Sequence, residues 1–211
     1  MKTLSSRLCL FFFLLTSISM GQIDSLLQIR VSGGVSNPRA PGAFYDYWKN
    51  GFDAELAAEF NYSDDFEFVG AVEYSSFSFS QDRFFQKIKV SDIDVSMSGG
   101  KTSLFVLSGN FKYILYESAE NQKIARPYLF LGGGILFSNI SRAEIQYPLS
   151  PAAEEGGLSV APCIRTGCGV MSSMTPTTSW IAEITYLYGI TTSQKVNTDY
   201  FTIRGGIAFT P

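Results

Sequence analysis

Histidine is absent from this sequence of 211 residues, and cysteine occurs only three times. Catalytic Ser-His-Asp and Cys-His arrangements, and metal sites with histidine ligands, are therefore excluded. Cys163 and Cys168 lie an odd number of positions apart. On a strand they would face opposite sides and stand too far apart for a disulfide. We predict no catalytic residue, no metal and no cofactor.

Charged residues are also few, at 17%, and the formal net charge of −3 argues against nucleic acid as a partner. Beyond the first residues of the chain, no apolar run reaches the ~18 residues that a membrane-spanning helix needs. A helical membrane protein is thereby excluded. Hydrophobic residues nevertheless make up 45% of the chain and aromatic residues 15%. A sheet with one face in lipid predicts this composition, although a soluble domain could also have it.

The start of the chain has the features of a secretory signal peptide. An apolar core from Leu8 to Leu15 follows two basic residues and precedes small residues that suit cleavage after Gly21. We therefore predict a signal peptide over residues 1–21, which directs export, and a single mature domain over residues 22–211.

Eight segments have the composition of β-strands and lie between clusters of Gly, Pro, Asn, Asp and Ser. Each is about ten residues long or longer, which is the length that a tilted strand needs to cross a bilayer. No segment requires a helix. The predicted strands are Leu26–Ser36, Phe52–Tyr62, Asp65–Phe79, Thr102–Tyr116, Arg126–Ser138, Leu158–Met171, Thr178–Ile190 and Tyr200–Thr210.

The connections between the predicted strands alternate in length. The first, third and fifth are long, the second, fourth and sixth are shorter, and the seventh is intermediate. Long loops at one end and short turns at the other are typical of outer-membrane barrels. The sequence therefore predicts an all-β fold, an eight-stranded antiparallel up-and-down transmembrane β-barrel. Together with the signal peptide, this predicts that residues 22–211 form a single outer-membrane barrel domain, exported to a bacterial outer membrane.

Apolar and polar residues alternate within these strands. In the second strand, alternate apolar residues share one face, while Asp53, Glu55 and Glu59 share the other. In the third strand Phe77 and Phe79 break the alternation, and we expect a β-bulge at Ser75 or Ser76 to restore it. The fourth strand carries apolar residues on both faces, which a small barrel filled with side chains tolerates. We expect the apolar face to meet lipid.

The predicted inner face contains acids and bases in equal number. A buried ion without a partner costs several kcal/mol, so such ions must pair or be hydrated. Eight strands leave an interior just wide enough for side chains, which predicts a paired, plugged core. An acid–base pair as in glycosidases is the enzymatic alternative, but nothing supplies a cleft. The predicted interior ions are Arg30, Glu55, Glu59, Glu67, Glu73, Lys112, Arg126, Arg165, Glu183 and Arg204.

Two segments resemble a known family. The segment "RPYLFLGGGILF", residues 126–137, resembles the "(K/R)PYxxxGxG" strand of OmpA-like outer-membrane β-barrel proteins, and "YFTIRGGIAF", residues 200–209, resembles their closing strand. The resemblance implies an eight-stranded barrel with an inward salt-bridge network, which lies among outer-membrane lipids and is inserted by the barrel assembly machinery. It implies no single activity.

We predict a non-enzymatic barrel that acts as a structural membrane protein, or as a surface scaffold whose long loops bind an unidentified ligand or host partner. Exposed aromatic residues in two loops are candidates for such binding. They could equally extend the barrel wall or rest on the lipopolysaccharide surface. These candidates are Phe44, Tyr45, Tyr47, Trp48, Phe84 and Phe85.

Two other functions fit the same strands. A soluble secreted barrel of the lipocalin type would hold an apolar ligand, with its oily residues inside and its charges outside. A small passive pore would have the predicted orientation but would conduct ions. Extraction without detergent distinguishes the first alternative, and conductance in planar bilayers distinguishes the second.

Overall fold

The computed structural model describes residues 27–40, 42–63, 65–88, 96–115, 125–146, 157–190 and 198–211. Each of its eight strands pairs antiparallel with the next, and the last pairs with the first to close a barrel. The predicted eight-stranded up-and-down fold is therefore confirmed. The predicted signal peptide lies outside the described residues and stays a prediction.

All eight predicted strands are present, and four of them extend four or more residues past a predicted bound. The strands are β1 (Leu27–Ala40), β2 (Gly51–Asn61), β3 (Phe66–Ser78), β4 (Ser96–Ile114), β5 (Arg126–Gln146), β6 (Gly157–Thr175), β7 (Thr178–Gly189) and β8 (Thr198–Phe209). We call the end with the β1–β2, β3–β4, β5–β6 and β7–β8 connections the loop end. The opposite end, which includes the tight β6–β7 turn at residues 176–177, is the turn end.

Two short helices lie at the loop end, where we predicted no helix. Helix α1 (Gly42–Tyr47) follows β1, and helix α2 (Gln81–Ile88) follows β3. Within the described part of the chain, neither is long and apolar enough to span a membrane. Both helices instead contribute to the loop end of the barrel.

Strand β1 continues through Pro38, which the sequence places in a loop. Its pairing with β2 ends at Ser36, opposite Gly51, while its pairing with β8 continues to Ala40. Proline is tolerated in a strand where no neighbour needs its missing N–H group. The last residues of β1 therefore have a strand partner on one side only.

The alternation predicted for the strands is confirmed by the burial of their side chains. On the outside, Ile203 is 64% and Phe111 68% exposed, whereas the inward Leu104 is fully buried. Cys163 is buried and Cys168 is exposed, and both are free thiols, as their spacing predicts. A lipocalin-type barrel requires the opposite arrangement. This alternative is therefore wrong.

The predicted bulge in β3 is absent. Pairing with β4 runs without a shift from Tyr74, opposite Phe105, to Phe77, opposite Thr102. Phe77 therefore points into the barrel, where it is fully buried. The prediction failed because it assumed that every large apolar residue in this strand faces lipid, whereas this part of the interior is itself apolar.

Glycines on the inner face let the backbones approach closely where β8 meets β1. A Cβ atom at Gly206 would collide with the carbonyl oxygen of Val31 and lie 2.6 Å from the Cβ of Ser32. At the adjacent, outward Gly205 the nearest atom would be 3.7 Å away. Two consecutive glycines thus differ in whether a methyl group fits.

This difference yields a matched pair of substitutions. We expect Gly206→Ala to lower the free energy of unfolding by about 1–3 kcal/mol, because overpacking shifts the β1 backbone. Gly205→Ala should be neutral or stabilising by up to about 1 kcal/mol, since glycine is unfavourable in a strand. Urea unfolding of the refolded barrel in detergent measures both values. Equal effects would contradict the close approach at Gly206.

Candidate functional site

The interior of the barrel contains a network of buried acids and bases. The predicted interior ions are all buried except Arg126, which is half-buried at the turn end. Asp53 also belongs to the network, although the predicted set of interior ions omits it. It is buried because every second residue of β2, including Asp53, points into the barrel. The interior charge network comprises Arg30, Asp53, Glu55, Glu59, Glu67, Glu73, Lys112, Arg165, Glu183 and Arg204.

Glu55 on β2 is the centre of this network. Its Oε1 atom lies 2.6 Å from Arg30 Nη2 on β1, and its Oε2 atom lies 2.5 Å from Arg204 Nη1 on β8. Arg165 on β6 contacts the same Oε2 atom. One carboxylate therefore binds guanidinium groups from three strands, including one from the far side of the barrel.

Toward the turn end the network continues through a shared lysine. Lys112 Nζ lies 2.9 Å from Glu59 Oε2 and 2.7 Å from Glu67 Oε2. Glu59 also forms an ion pair with Arg30, with its Oε1 atom 2.7 Å from Nη1. The ammonium group of Lys112 further lies 4.4 Å from the ring centre of Tyr128, a cation–π distance. The turn-side acids are thus bound by two cations.

Toward the loop end, hydroxyl groups join the ion pairs. Arg204 Nη2 lies 2.9 Å from Glu73 Oε2, and the hydroxyl of Tyr200 donates to Glu73 Oε1 at 2.7 Å. Asp53 accepts a hydrogen bond of 2.8 Å from the hydroxyl of Ser75 and lies 3.5 Å from Arg204. This side of the network holds more acids than bases, and neutral donors supplement the guanidinium group.

Glu183 on β7 completes the ring of contacts. It lies 3.3 Å from Arg30 Nη1 and 3.4 Å from Arg165 Nη2. The hydroxyls of Tyr128 and Thr185 donate to it at 3.0 Å and 2.9 Å. The equal balance predicted from sequence becomes an excess of acids within the network, and the hydroxyls of Tyr128 and Thr185 donate to Glu183 in addition to its cations.

Arg126 lies apart from the centre, beside a polar cavity of about 190 Å³ at the turn end. Gln28, Asn61 and Glu67 line the same cavity. Deeper in the barrel, a void of about 10 Å³ between Arg30 and Arg165 has room for about one water molecule. The polar cavity at the turn end is thus much larger than the void at the centre of the barrel.

The loop end of the interior is apolar, and Phe44 of helix α1 closes it. Its ring centre is 4.9 Å from that of Phe77, and only 5% of its surface is exposed. The prediction that Phe44 is an exposed binding residue is therefore wrong, because a buried apolar cluster holds its ring. That cluster consists of Phe44, Phe77, Leu104, Val106, Leu136, Cys163, Leu187 and Tyr200.

The remaining loop aromatics form a second layer outside Phe44. Trp48 packs against the buried cluster and on Phe79, with ring centres 5.8 Å apart. Tyr47 contacts Phe84 at 5.2 Å between ring centres. The backbone N–H of Ser80 donates to the carbonyl of Tyr47 at 2.7 Å, which joins the two loops. We call this layer, with Phe44, the loop-end cap.

Two of the candidate loop aromatics lie at the edge of the cap. Tyr45 is 50% exposed, and Phe85 is half-buried beside Phe84, with ring centres 5.8 Å apart. Of the six candidates, Tyr45 is thus the most available to a partner. The structure brings the other five together as packing residues, a role that the spacing of aromatics in the sequence could not distinguish from exposure.

The interior network consists of ion pairs and hydrogen bonds between buried side chains. Among the described residues, no group of histidine, cysteine, aspartate and glutamate side chains could hold a metal ion. The inner carboxylates are bound by guanidinium groups, lysine and hydroxyls, and lie in a closed sheet. Removing one partner from such a network leaves an uncompensated buried charge.

We expect Glu55→Gln to lower the free energy of unfolding by about 3–5 kcal/mol, because three guanidinium groups lose their shared carboxylate. Glu67→Gln is the matched control, since Glu67 contacts only Lys112 within the network and lines the polar cavity at the turn end. Its effect should be clearly smaller. Urea unfolding followed by tryptophan fluorescence compares the two. Equal losses would show that Glu55 is not the centre of the network.

Comparison with known proteins gives a likeness in structure only. No protein-family model matches the chain, and no curated protein matches it. The crystal structure of Neisserial surface protein A is similar, with a TM-score of 0.56 and 11% identity over 88% of this chain and 97% of that chain.

Two further barrels are similar at lower scores. Ail of Yersinia pestis has a TM-score of 0.48 and 12% identity over 89% of this chain and 100% of its own. The N-terminal barrel domain of Pseudomonas aeruginosa OprF has a TM-score of 0.44 and 12% identity over 86% and 96%. The likeness to Neisserial surface protein A, together with the apolar exterior and the charged interior, establishes that this chain has the fold of the small eight-stranded outer-membrane β-barrels.

Proposed function

We propose that this protein is a non-enzymatic outer-membrane barrel whose interior does not conduct ions and whose loop end serves as a surface scaffold. The proposal is supported by the contacts between buried side chains inside the barrel. Buried ion pairs cross the barrel at Glu55, and the loop-end cap covers them with apolar side chains. Insertion by the barrel assembly machinery belongs to the same proposal.

The absence of conduction follows from two successive obstacles. An ion entering from the turn end would have to displace Arg30, Arg165 or Arg204 from carboxylates that are themselves buried. Beyond them it would meet the apolar cluster around Phe44, where a bare ion loses its hydration without gaining a partner. Either obstacle alone argues against the alternative function of a passive pore.

The absence of enzymatic activity is supported by the chemistry of the side chains. The sequence contains no histidine, and the buried thiol of Cys163 lies among apolar residues. A nucleophile needs an adjacent base, and the inner carboxylates already bind cations. No residue of the interior is therefore a candidate for catalysis.

The scaffold role rests on the loop end. The cap joins helices α1 and α2 through aromatic contacts and through Arg83, whose Nη1 donates to the carbonyl of Trp48 at 2.9 Å. Loops held this way present a defined surface, and a rigid surface loses less entropy on binding. Tyr45 is the aromatic that such a surface offers to a partner.

Conductance and gel mobility test the proposal together. Unboiled protein from the membrane fraction should migrate differently from boiled protein, since a closed barrel resists detergent until it is heated. In planar bilayers the same preparation should give no unitary current steps. Reproducible current steps from protein that shows the mobility shift would establish a pore. Protein that dissolves in buffer and shows no mobility shift would contradict the proposal of a membrane barrel.

Phe44 and Tyr45 give a further matched pair. We expect Phe44→Ala to lower the free energy of unfolding by about 3–5 kcal/mol, the usual cost of deleting a buried phenylalanine. Tyr45→Ala should change it by less than about 0.5 kcal/mol, as is usual for an exposed side chain. Thermal unfolding in detergent measures both. If Phe44→Ala were neutral, the closure of the loop end by this ring would be contradicted.

A further inference from the structure

The outer wall of the barrel carries very few charges, and they are unevenly placed. Among the described side chains, the outward positions of the strands hold only Arg39, Lys101 and Asp199 as charged residues. Asp199 is 8% exposed and accepts a hydrogen bond of 2.5 Å from the hydroxyl of Tyr186. The exposed charges of the described wall are therefore two cations, and both lie at the loop end.

Arg39 is held against an aromatic ring. It lies where the pairing of β1 with β8 shifts, between Pro38 and Ala40. Its guanidinium carbon is 5.1 Å from the ring centre of Phe201, an outward residue of β8. Stacking on a ring fixes a guanidinium group but leaves its N–H donors available in the plane. No described carboxylate forms a salt bridge with Arg39.

Lys101 lies among hydroxyl groups on β4. It is exposed and pairs across the sheet with Ser78 of β3. The hydroxyl of Tyr74 interacts with Lys101 and lies 3.1 Å from that of Ser103. Within the described residues no carboxylate forms a salt bridge with this ammonium group either. A cation beside two hydroxyls is a suitable environment for the oxygens of a phosphate.

Both cations lie level with the last outward aromatic residues of the wall or just beyond them; Tyr188 of β7 is opposite Asp199, which is in turn opposite Ala40. Phe201 and Tyr186 stack at 4.7 Å between ring centres below Arg39, and Phe105 is the next outward aromatic below Lys101. Aromatic residues in membrane barrels mark the boundary between hydrocarbon and headgroups. The two cations are thus at the depth of the lipid headgroups, where phosphate groups are found.

We infer that Arg39 and Lys101 bind the phosphate groups of phosphorylated lipids in the leaflet that surrounds the loop end. Charge complementarity selects an anionic headgroup, and the position on the wall selects a lipid over a soluble partner. The inference rests on the proposed function, because it takes the loop end to face the exterior. It adds a ligand class and two binding residues to that proposal.

Binding of defined lipids to the purified, folded barrel in neutral detergent tests the inference. The probes are diphosphoryl lipid A, the same lipid without its phosphates, and inorganic phosphate, and native mass spectrometry counts the bound copies. Diphosphoryl lipid A should bind, and Arg39→Gln or Lys101→Gln should each weaken it about fivefold, the usual effect of one basic residue at a lipid surface. Lys49→Gln is the control, because Lys49 is an exposed cation in a loop outside the strands; it should have no effect.

Several results would overturn the inference. Equal weakening by Lys49→Gln would indicate a diffuse attraction, and equal binding of the dephosphorylated lipid would remove the role of phosphate. Saturation by inorganic phosphate at the same concentration would indicate a general anion site. Diphosphoryl lipid A could fail to bind to a protein that still shows the mobility shift on heating and no current steps in planar bilayers. In that case this inference alone fails. If the mobility shift is also absent, the proposed function fails with it.

Discussion

Burial of ions inside a closed sheet is the constraint on which this structure depends. A strand has two faces, and in a barrel one of them meets hydrocarbon while the other meets the opposite wall. Charged groups are excluded from the first and are tolerated on the second only when they compensate one another. The alternation of each strand, the position of the glycines and the size of the interior all follow from this requirement.

The interior divides into two parts that meet the constraint differently. Around Glu55 and toward the turn end, acids and bases bind one another, and the hydroxyls of Tyr128 and Tyr200 donate to Glu183 and Glu73. Toward the loop end the charges stop, and Phe44 enters from a helix to fill the remaining space. Tyr200 belongs to both parts, because its ring packs in the apolar cluster while its hydroxyl binds Glu73.

Much of this fold follows from the sequence because period-two alternation is a direct consequence of strand geometry. The strands and the inward side of their charges were predictable, since a single residue shift would move every ion into lipid. Individual ion pairs were not predictable, because Arg165 and Glu55 lie on distant strands and meet only across the interior. Register between neighbours does not determine which long side chains reach one another through the centre.

The predictions failed at the loop end, where local pattern has least control. Phe77 was predicted to face lipid because we assumed that apolar residues of the strands point outward. The interior of the loop end, however, holds an apolar cluster that includes Phe77. Phe44 was taken as exposed because it lies in a loop, yet helix α1 turns it inward. Both errors have one cause. An aromatic residue near the rim can face hydrocarbon, solvent or the interior, and only the path of the loop decides among them.

The contacts of Glu55 also bear on how such a chain reaches its native state. Its partners Arg30, Arg165 and Arg204 come from β1, β6 and β8, so the last strand must arrive before the carboxylate is fully neutralised. A partly assembled sheet would carry unmatched charge toward the membrane interior. We therefore expect a barrel in which β1 and β8 are not yet paired to be disfavoured by the unmatched charge as well as by its unpaired strand edges.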